Sequence, residues 1–225
     1  MTHSGTAGVG RLHELGRSYF HRRYTILFYV LLFTMVVSPG MTALGMNGIL
    51  IESLLAFCLL AAVMPVDAGT NRTVLLVGMI CAWLARPLTA WLGHERLSAM
   101  TLGVWTLIGL FAGAAALRFA MRGSKVDREH LFAALSAYLL AGIYFGLLYW
   151  ALEQVHPGMF AAASFSRSGA IYFSFVTLAT LGYGDIVPRT DVARGLAIVE
   201  GVGGQLFLAV LVARLVSLYS SSAKD

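Results

Sequence analysis

Charge is scarce in this chain: Asp, Glu, Lys and Arg make up 12% of its 225 residues, about half the proportion usual in globular domains. The charges cluster between long apolar stretches instead of alternating along helix faces, which excludes an ordinary soluble core. With 58% hydrophobic residues and a mean hydropathy of +0.77, a multi-span helical membrane protein is expected. There are two cysteines, Cys58 and Cys81, both inside apolar stretches, so they read as small packing residues and not as a disulfide or a metal pair. The six histidines show no ligand spacing, and no metal site follows from them. A net charge of +5 comes without any basic stripe interleaved with aromatics, so no nucleic-acid partner is expected. The residues up to Arg23 lack a short apolar core with a cleavage site, so no removable signal peptide is expected.

What is present is a series of membrane-length apolar runs. Spans are predicted over 24–44, 48–66, 73–92, 97–121, 131–153 and 193–219, each near the 20 residues that cross about 30 Å of hydrocarbon. Between the last two lies 168–179, apolar but too short to cross, which reads as a re-entrant half-helix. Arg11, Arg17, Arg22 and Arg23 precede the first span, Arg72 follows the second, and Arg118, Arg122, Lys125 and Arg128 flank the turn from the fourth to the fifth. By the bias of Lys and Arg toward the cytoplasm, both termini are predicted inside and the re-entrant segment enters from outside. His94, Glu95, Arg96, Arg189 and Arg194 run against that bias. The expected organisation is a cytoplasmic tail over 1–23, a four-helix transmembrane unit over 24–121 and a pore unit over 122–225. Little chain follows the last span, so no cytoplasmic ligand-binding domain is expected.

The stretch Ala170–Pro188 reads AIYFSFVTLATLGYGDIVP. With its run Thr180-Leu181-Gly182-Tyr183-Gly184-Asp185 between an aromatic half-helix and a membrane span, it resembles the pore helix and selectivity filter of the potassium-channel superfamily. The resemblance covers roughly the last 95 residues and is specific because of the whole context, not the Gly-Tyr-Gly alone. A dehydrated potassium ion needs oxygens in place of its water, and rings of backbone carbonyls provide them. Successive carbonyls face one way only where alternate residues take conformations unfavourable to a residue with a Cβ, which accounts for Gly182 and Gly184. The resemblance implies that carbonyls of Thr180, Leu181, Gly182 and Tyr183 line a K+ path, with the Thr180 hydroxyl at its inner end. It also implies support from Asp185, Tyr172, Phe173, Val176 and Thr177. Leu181 stands where Val is commoner, a change in packing behind the filter. Tyr172 occupies the position that commonly hydrogen-bonds the filter aspartate, and it and Phe173 are expected to form an aromatic collar around Tyr183. No cofactor beyond permeant K+ is implied, and a single filter motif implies a homotetramer in the cell membrane.

The last span, GLAIVEGVGGQLFLAVLVARLVSLY, places Gly204 where relatives carry an inner-helix hinge, with Gly201 and Gly203 as alternatives; close helix packing explains such glycines equally well. Glu200 is a carboxylate in mid-membrane, where an unpaired charge costs several kcal/mol. It is expected to hydrogen-bond Thr177 or Ser174 and to influence filter stability and gating. Six spans with a terminal pore also resemble voltage-gated channels, but the fourth span has no charge until Arg118 at its edge, and steep voltage gating needs several charges. Glu52 and Arg86 are the buried charges of the first four spans and are expected to pair. The basic tail with Tyr19 and Phe20 suits anionic lipid headgroups.

Two other readings compete with this one. Ser166-Arg167-Ser168-Gly169 superficially resembles a serine-nucleophile motif of intramembrane proteases, but the preceding glycine is missing and no later span holds a histidine base. A non-selective cation channel on the same scaffold conflicts with the intact Tyr183 and filter glycines. The fold class expected is therefore all-α, with six transmembrane helices, a re-entrant pore helix and a filter loop.

Overall fold

The computed structural model describes residues 23–37, 40, 77–78, 80–81, 84–85, 95–122, 128–163 and 165–222. Span two, most of span three, the tail up to residue 22 and the expected Glu52–Arg86 pair lie outside them. Within them the fold is almost wholly helical: α1 (Arg23–Val37), α2 (Glu95–Arg122), α3 (Arg128–Val155), α4 (Arg167–Leu178) and α5 (Asp191–Ser222). Three stretches, Leu97–Arg118, Arg128–Val155 and Asp191–Ser217, are long and apolar enough to cross a membrane. Six were expected; the described residues show three, with α1 shorter. At 12 residues α4 reaches about 18 Å and cannot cross. The helices run one to three residues beyond most of the predicted span ends, because hydropathy marks the hydrocarbon thickness while the hydrogen-bond ladder continues into polar flanks.

α3 is the centre of the packing. Tyr24, Leu27 and Leu31 of α1 recur at helical spacing, and their buried stripe meets Ala133, Ala134 and Ala137 of α3 in the core. The start of α1 is held by Glu129, whose carboxylate accepts from Tyr24 N at 3.0 Å and Thr25 Oγ1 at 2.5 Å. A carboxylate there answers the free amides and positive end of a helix. α2 lies along α3 through small residues: Gly109 faces the Tyr144 ring and Gly113 faces Leu140. At the far end of α2, Arg214 of α5 donates to Ala120 O at 2.5 Å, which satisfies a last-turn carbonyl and places a cation at the negative helix end.

α4 sits in the angle between α3 and α5. A two-residue antiparallel ladder, β1 (Phe160–Ala161) with β2 (Val187–Pro188), joins the chain before α4 to the chain after it, pairing Phe160 with Pro188 and Ala161 with Val187. Glu153, near the end of α3, fixes the approach to β1 by accepting from the amides of Gly158, Met159 and Phe160 at 2.7, 2.9 and 3.2 Å. The segment from α4 to Ile186 is thus a loop closed at its base, with an aromatic cluster of Tyr149, Phe160, Phe165 and Phe173 beneath it.

Candidate functional site

The site begins where α4 ends. Ser166 caps the helix start, its Oγ accepting from Gly169 N at 3.1 Å and lying 3.0 Å from Ser168 Oγ. The serines that resemble a nucleophile motif are therefore engaged in starting this helix. At the other end, Thr180 N donates to Thr177 O at 3.0 Å and Leu181 N to Val176 O at 2.9 Å. With Ala179 as the C-cap, those are the two bonds of a Schellman motif. Such a motif needs a left-handed residue after the cap, usually glycine. Here it is Thr180, with φ of 56°.

That left-handed residue opens an alternation. Thr180, Gly182 and Gly184 have φ of 56°, 61° and 80°, while Leu181 and Tyr183 between them do not share the positive φ. In a regular strand successive carbonyls point to opposite sides; reversing the hand of every second residue turns them toward one side. The expected glycines follow this rule. Sequence reasoning did not identify Thr180 as a third left-handed position, and the signal it passed over was the helix end immediately before it.

The side chains of the alternate residues lie outward from one chain alone: Leu181 is 58% and Tyr183 67% exposed. Tyr183 stacks on Tyr172 at 6.3 Å with the rings nearly parallel, and the Tyr172 phenol is near enough to the Asp185 carboxylate to interact with it. Phe173 turns elsewhere within the chain, packing edge-on against Tyr149 and Phe160 at 5.2 and 5.3 Å. Neighbouring positions on a helix are about 100° apart, so the two aromatics of the expected collar do not face the same way. Val176 is buried and lends its carbonyl to the cap, as does Thr177.

Behind α4, Glu200 of α5 is 1% exposed. Its Oε2 accepts from the Tyr149 hydroxyl at 2.7 Å, and its Oε1 is in short hydrogen-bond contact with Ser174 Oγ. Ser174 Oγ also lies 2.6 Å from the Gly142 carbonyl oxygen. The sequence pointed to Ser174; it did not point to Tyr149, although a buried tyrosine on the adjacent span is a natural donor for a carboxyl. α5 runs as continuous helix through Gly201, Gly203 and Gly204. A Cβ on Gly204 would lie 2.7 Å from Leu178 Cδ1 and 3.1 Å from Leu178 O, whereas one on Gly203 meets nothing within 4 Å. Gly204 is thus where α5 touches the end of α4. Gly204→Ala is expected to lower stability by about 1–3 kcal/mol through overpacking, with Gly203→Ala near neutral; thermal unfolding of the two variants in lipid-containing micelles checks the difference.

α5 is otherwise largely uncovered in one chain, with Val192, Ile198, Val199, Val202, Leu206 and Val212 exposed. Among the described residues no group of His, Cys, Asp and Glu is arranged to hold a metal ion.

Residues 134–221 match a family model described as "Ion channel". The chain is 40% identical over 91 residues to two pore potassium channel c of Oryza sativa subsp. japonica, covering 39% of this chain and 18% of that protein. It is 52% identical over 48 residues to two-pore potassium channel 4 of Arabidopsis thaliana, covering 21% and 17%. It is 36% identical over 77 residues to the inward rectifier potassium channel Kirbac3.1 of Paramagnetospirillum magnetotacticum, covering 32% and 24%. The chain spans no more than 24% of the length of these relatives. No solved structure matches it. The matched region begins within α3, contains α4 and the alternating loop, and ends within α5, so the likeness to ion channels and to these potassium channels lies in the segment just described.

Proposed function

We propose that this chain is one subunit of a homotetrameric, potassium-selective channel that conducts K+ passively and is not steeply gated by voltage. The observation that carries the reading is the alternation of left-handed residues at Thr180, Gly182 and Gly184 directly after a half-helix. In this reading the carbonyls of Thr180, Leu181, Gly182 and Tyr183 replace the hydration shell of K+, the one permeant ligand, and no other cofactor takes part. Gly184 and Asp185 close the outer end, Tyr172 holds Asp185, and Phe173, Val176 and Thr177 hold α4 and its cap. The helix directs the negative end of its dipole toward the inner cavity, which favours a cation there.

One chain supplies one wall of such a path. The exposed Leu181 and Tyr183 and the apolar face of α5 are the surfaces that four copies around an axis cover. Residues 24–121 are read as a transmembrane unit that is no ordinary voltage sensor, since the membrane stretch of α2 has its one basic residue, Arg118, at its end. Residues 122–225 are read as the pore unit, the chain lying in the cell membrane with both termini cytoplasmic and the basic tail near anionic lipid. Gly203, Gly204 and Glu200 are the places where movement of α5 against α4 is expected to influence gating, and Glu52 with Arg86 is read as an ion pair between spans two and three.

The test is flux. Purified protein in liposomes with an outward K+ gradient is expected to pass K+ and set a reversal potential near that of K+ when Na+ is the competing ion. Equal passage of the two ions would favour a non-selective cation channel, and absence of flux would remove the channel reading.

A further inference from the structure

Glu200, Ser174 and Gly142 pose a problem in counting hydrogens. Ser174 Oγ is within bonding distance of two oxygens, the Gly142 carbonyl and Glu200 Oε1. A carbonyl oxygen only accepts, and a hydroxyl owns a single hydrogen. Were Glu200 ionised, Ser174 would face two acceptors with one proton. One of the two close oxygen pairs would then be lone pair against lone pair in an apolar interior, where an unmade bond is expensive. A proton on Glu200 Oε1 removes the conflict: the carboxyl donates to Ser174, Ser174 donates to Gly142 O, and the Tyr149 hydroxyl donates to Oε2.

We propose that Glu200 is a neutral carboxylic acid in this conformation, and that its proton closes a relay from Tyr149 through Glu200 and Ser174 to Gly142 that latches α5 to α3 and α4. The relay ties the three helices together immediately behind the left-handed loop. Its effect on conduction rests on the channel reading above; the protonation itself does not.

The surroundings offer the carboxyl no counter-ion among the described residues. α3 presents two titratable groups to it, Tyr149 in direct contact and Tyr138 across a cavity of about 330 Å³. α4 presents the Ser174 hydroxyl, and α2 presents Leu110, Gly113, Ala114 and Leu117 on the far wall. Because the latch needs the proton, the latched conformation is favoured as pH falls and loosens as pH rises. Loosening frees Ser174 from either Gly142 or Glu200, and with it one of the links between the helix behind the filter and its neighbours.

Glu200→Gln separates the proton from the shape. Its amide N–H donates to Ser174 and its carbonyl accepts from Tyr149, so the relay persists with nothing to titrate. Infrared difference spectra of wild type against E200Q at neutral pH, on protein in lipid, are expected to show one protonated-carboxyl C=O band lost in the variant. Loss of carboxylate bands instead would overturn the proposal. In Ser174→Ala the same band is expected to move to higher frequency, because the acid O–H has lost its acceptor; an unmoved band counts against the relay. In liposomes, wild-type K+ flux is expected to change about tenfold between neutral and alkaline pH, the equilibrium shift of one buried hydrogen bond, and E200Q flux to stay level. A variant that keeps the wild-type pH response would overturn the latch. A wild type that passes no K+ would remove the channel reading while the infrared result still decides the protonation.

Discussion

Gly146→Ala is expected to lower stability by about 3 kcal/mol or more, at the upper end of what overpacking does, and to reduce the yield of folded protein. A Cβ on Gly146 would lie 2.5 Å from Ile171 Cα and 3.0 Å from Ile171 N. Those are backbone atoms of α4, so no rotamer change makes room and the helix itself must retreat from α3. Gly142 provides the control. There the added Cβ meets the ring of Phe175 at 2.5 Å, a side chain that can swing aside, so Gly142→Ala is expected to be milder. Thermal unfolding followed by size-exclusion in lipid-containing micelles measures both; a G146A protein as stable as wild type would show that α3 and α4 are not in this contact.

Gly182→Ala is expected to behave in the opposite way, sparing the fold and destroying selective conduction. Nothing lies within 4 Å of a Cβ placed on Gly182 in one chain, so the methyl meets no steric obstacle there. Its φ of 61° is what an L-residue resists, at about 1–2 kcal/mol per residue. In the proposed tetramer the same strain is imposed at four positions around one axis, about 4–8 kcal/mol in all. Relief by turning the peptide takes a ring of carbonyls away from the ion. K+ flux is expected to fall at least a hundredfold, or its preference over Na+ to vanish, while the unfolding temperature stays near that of wild type. A variant that still conducts K+ selectively would mean that the backbone hand at this position does not position the coordinating oxygens.

The two variants mark the boundary of what the sequence discloses. The conformational demand at Gly182 is local and could be read from the motif, because it concerns one residue and the direction of its own carbonyl. The demand at Gly146 is a contact with Ile171, 25 positions away, and nothing in the run Gly146-Leu147-Leu148 distinguishes it from any other small residue in an apolar span. The same distinction separates the two ends of the Glu200 network. A carboxyl alone in an apolar run announces that it needs partners, and Ser174 lay in the segment expected to pack against it. That Tyr149, rather than another donor on the same span, completes the pair depends on the rotation of α3 about its axis, which hydropathy does not encode when the whole circumference is apolar. Arg214 is a further example: it is a cation near the end of the last span, and its bond to Ala120 O appears only once α2 and α5 are placed side by side.

The position of Thr180 has a further consequence. It completes the end of a 12-residue helix and is also the first left-handed residue of the loop, so α4 acts as a gauge that sets where the loop begins. One residue more or fewer in that helix shifts its end by about 1.5 Å and rotates it by about 100°, displacing every oxygen beyond it together. The helix start is fixed by Ser166 and its surroundings by the β1–β2 clasp, so no slack exists on that side to absorb the change. The length of α4 is therefore under a constraint of its own, separate from the apolarity of its faces: its residues can be exchanged far more freely than they can be counted differently.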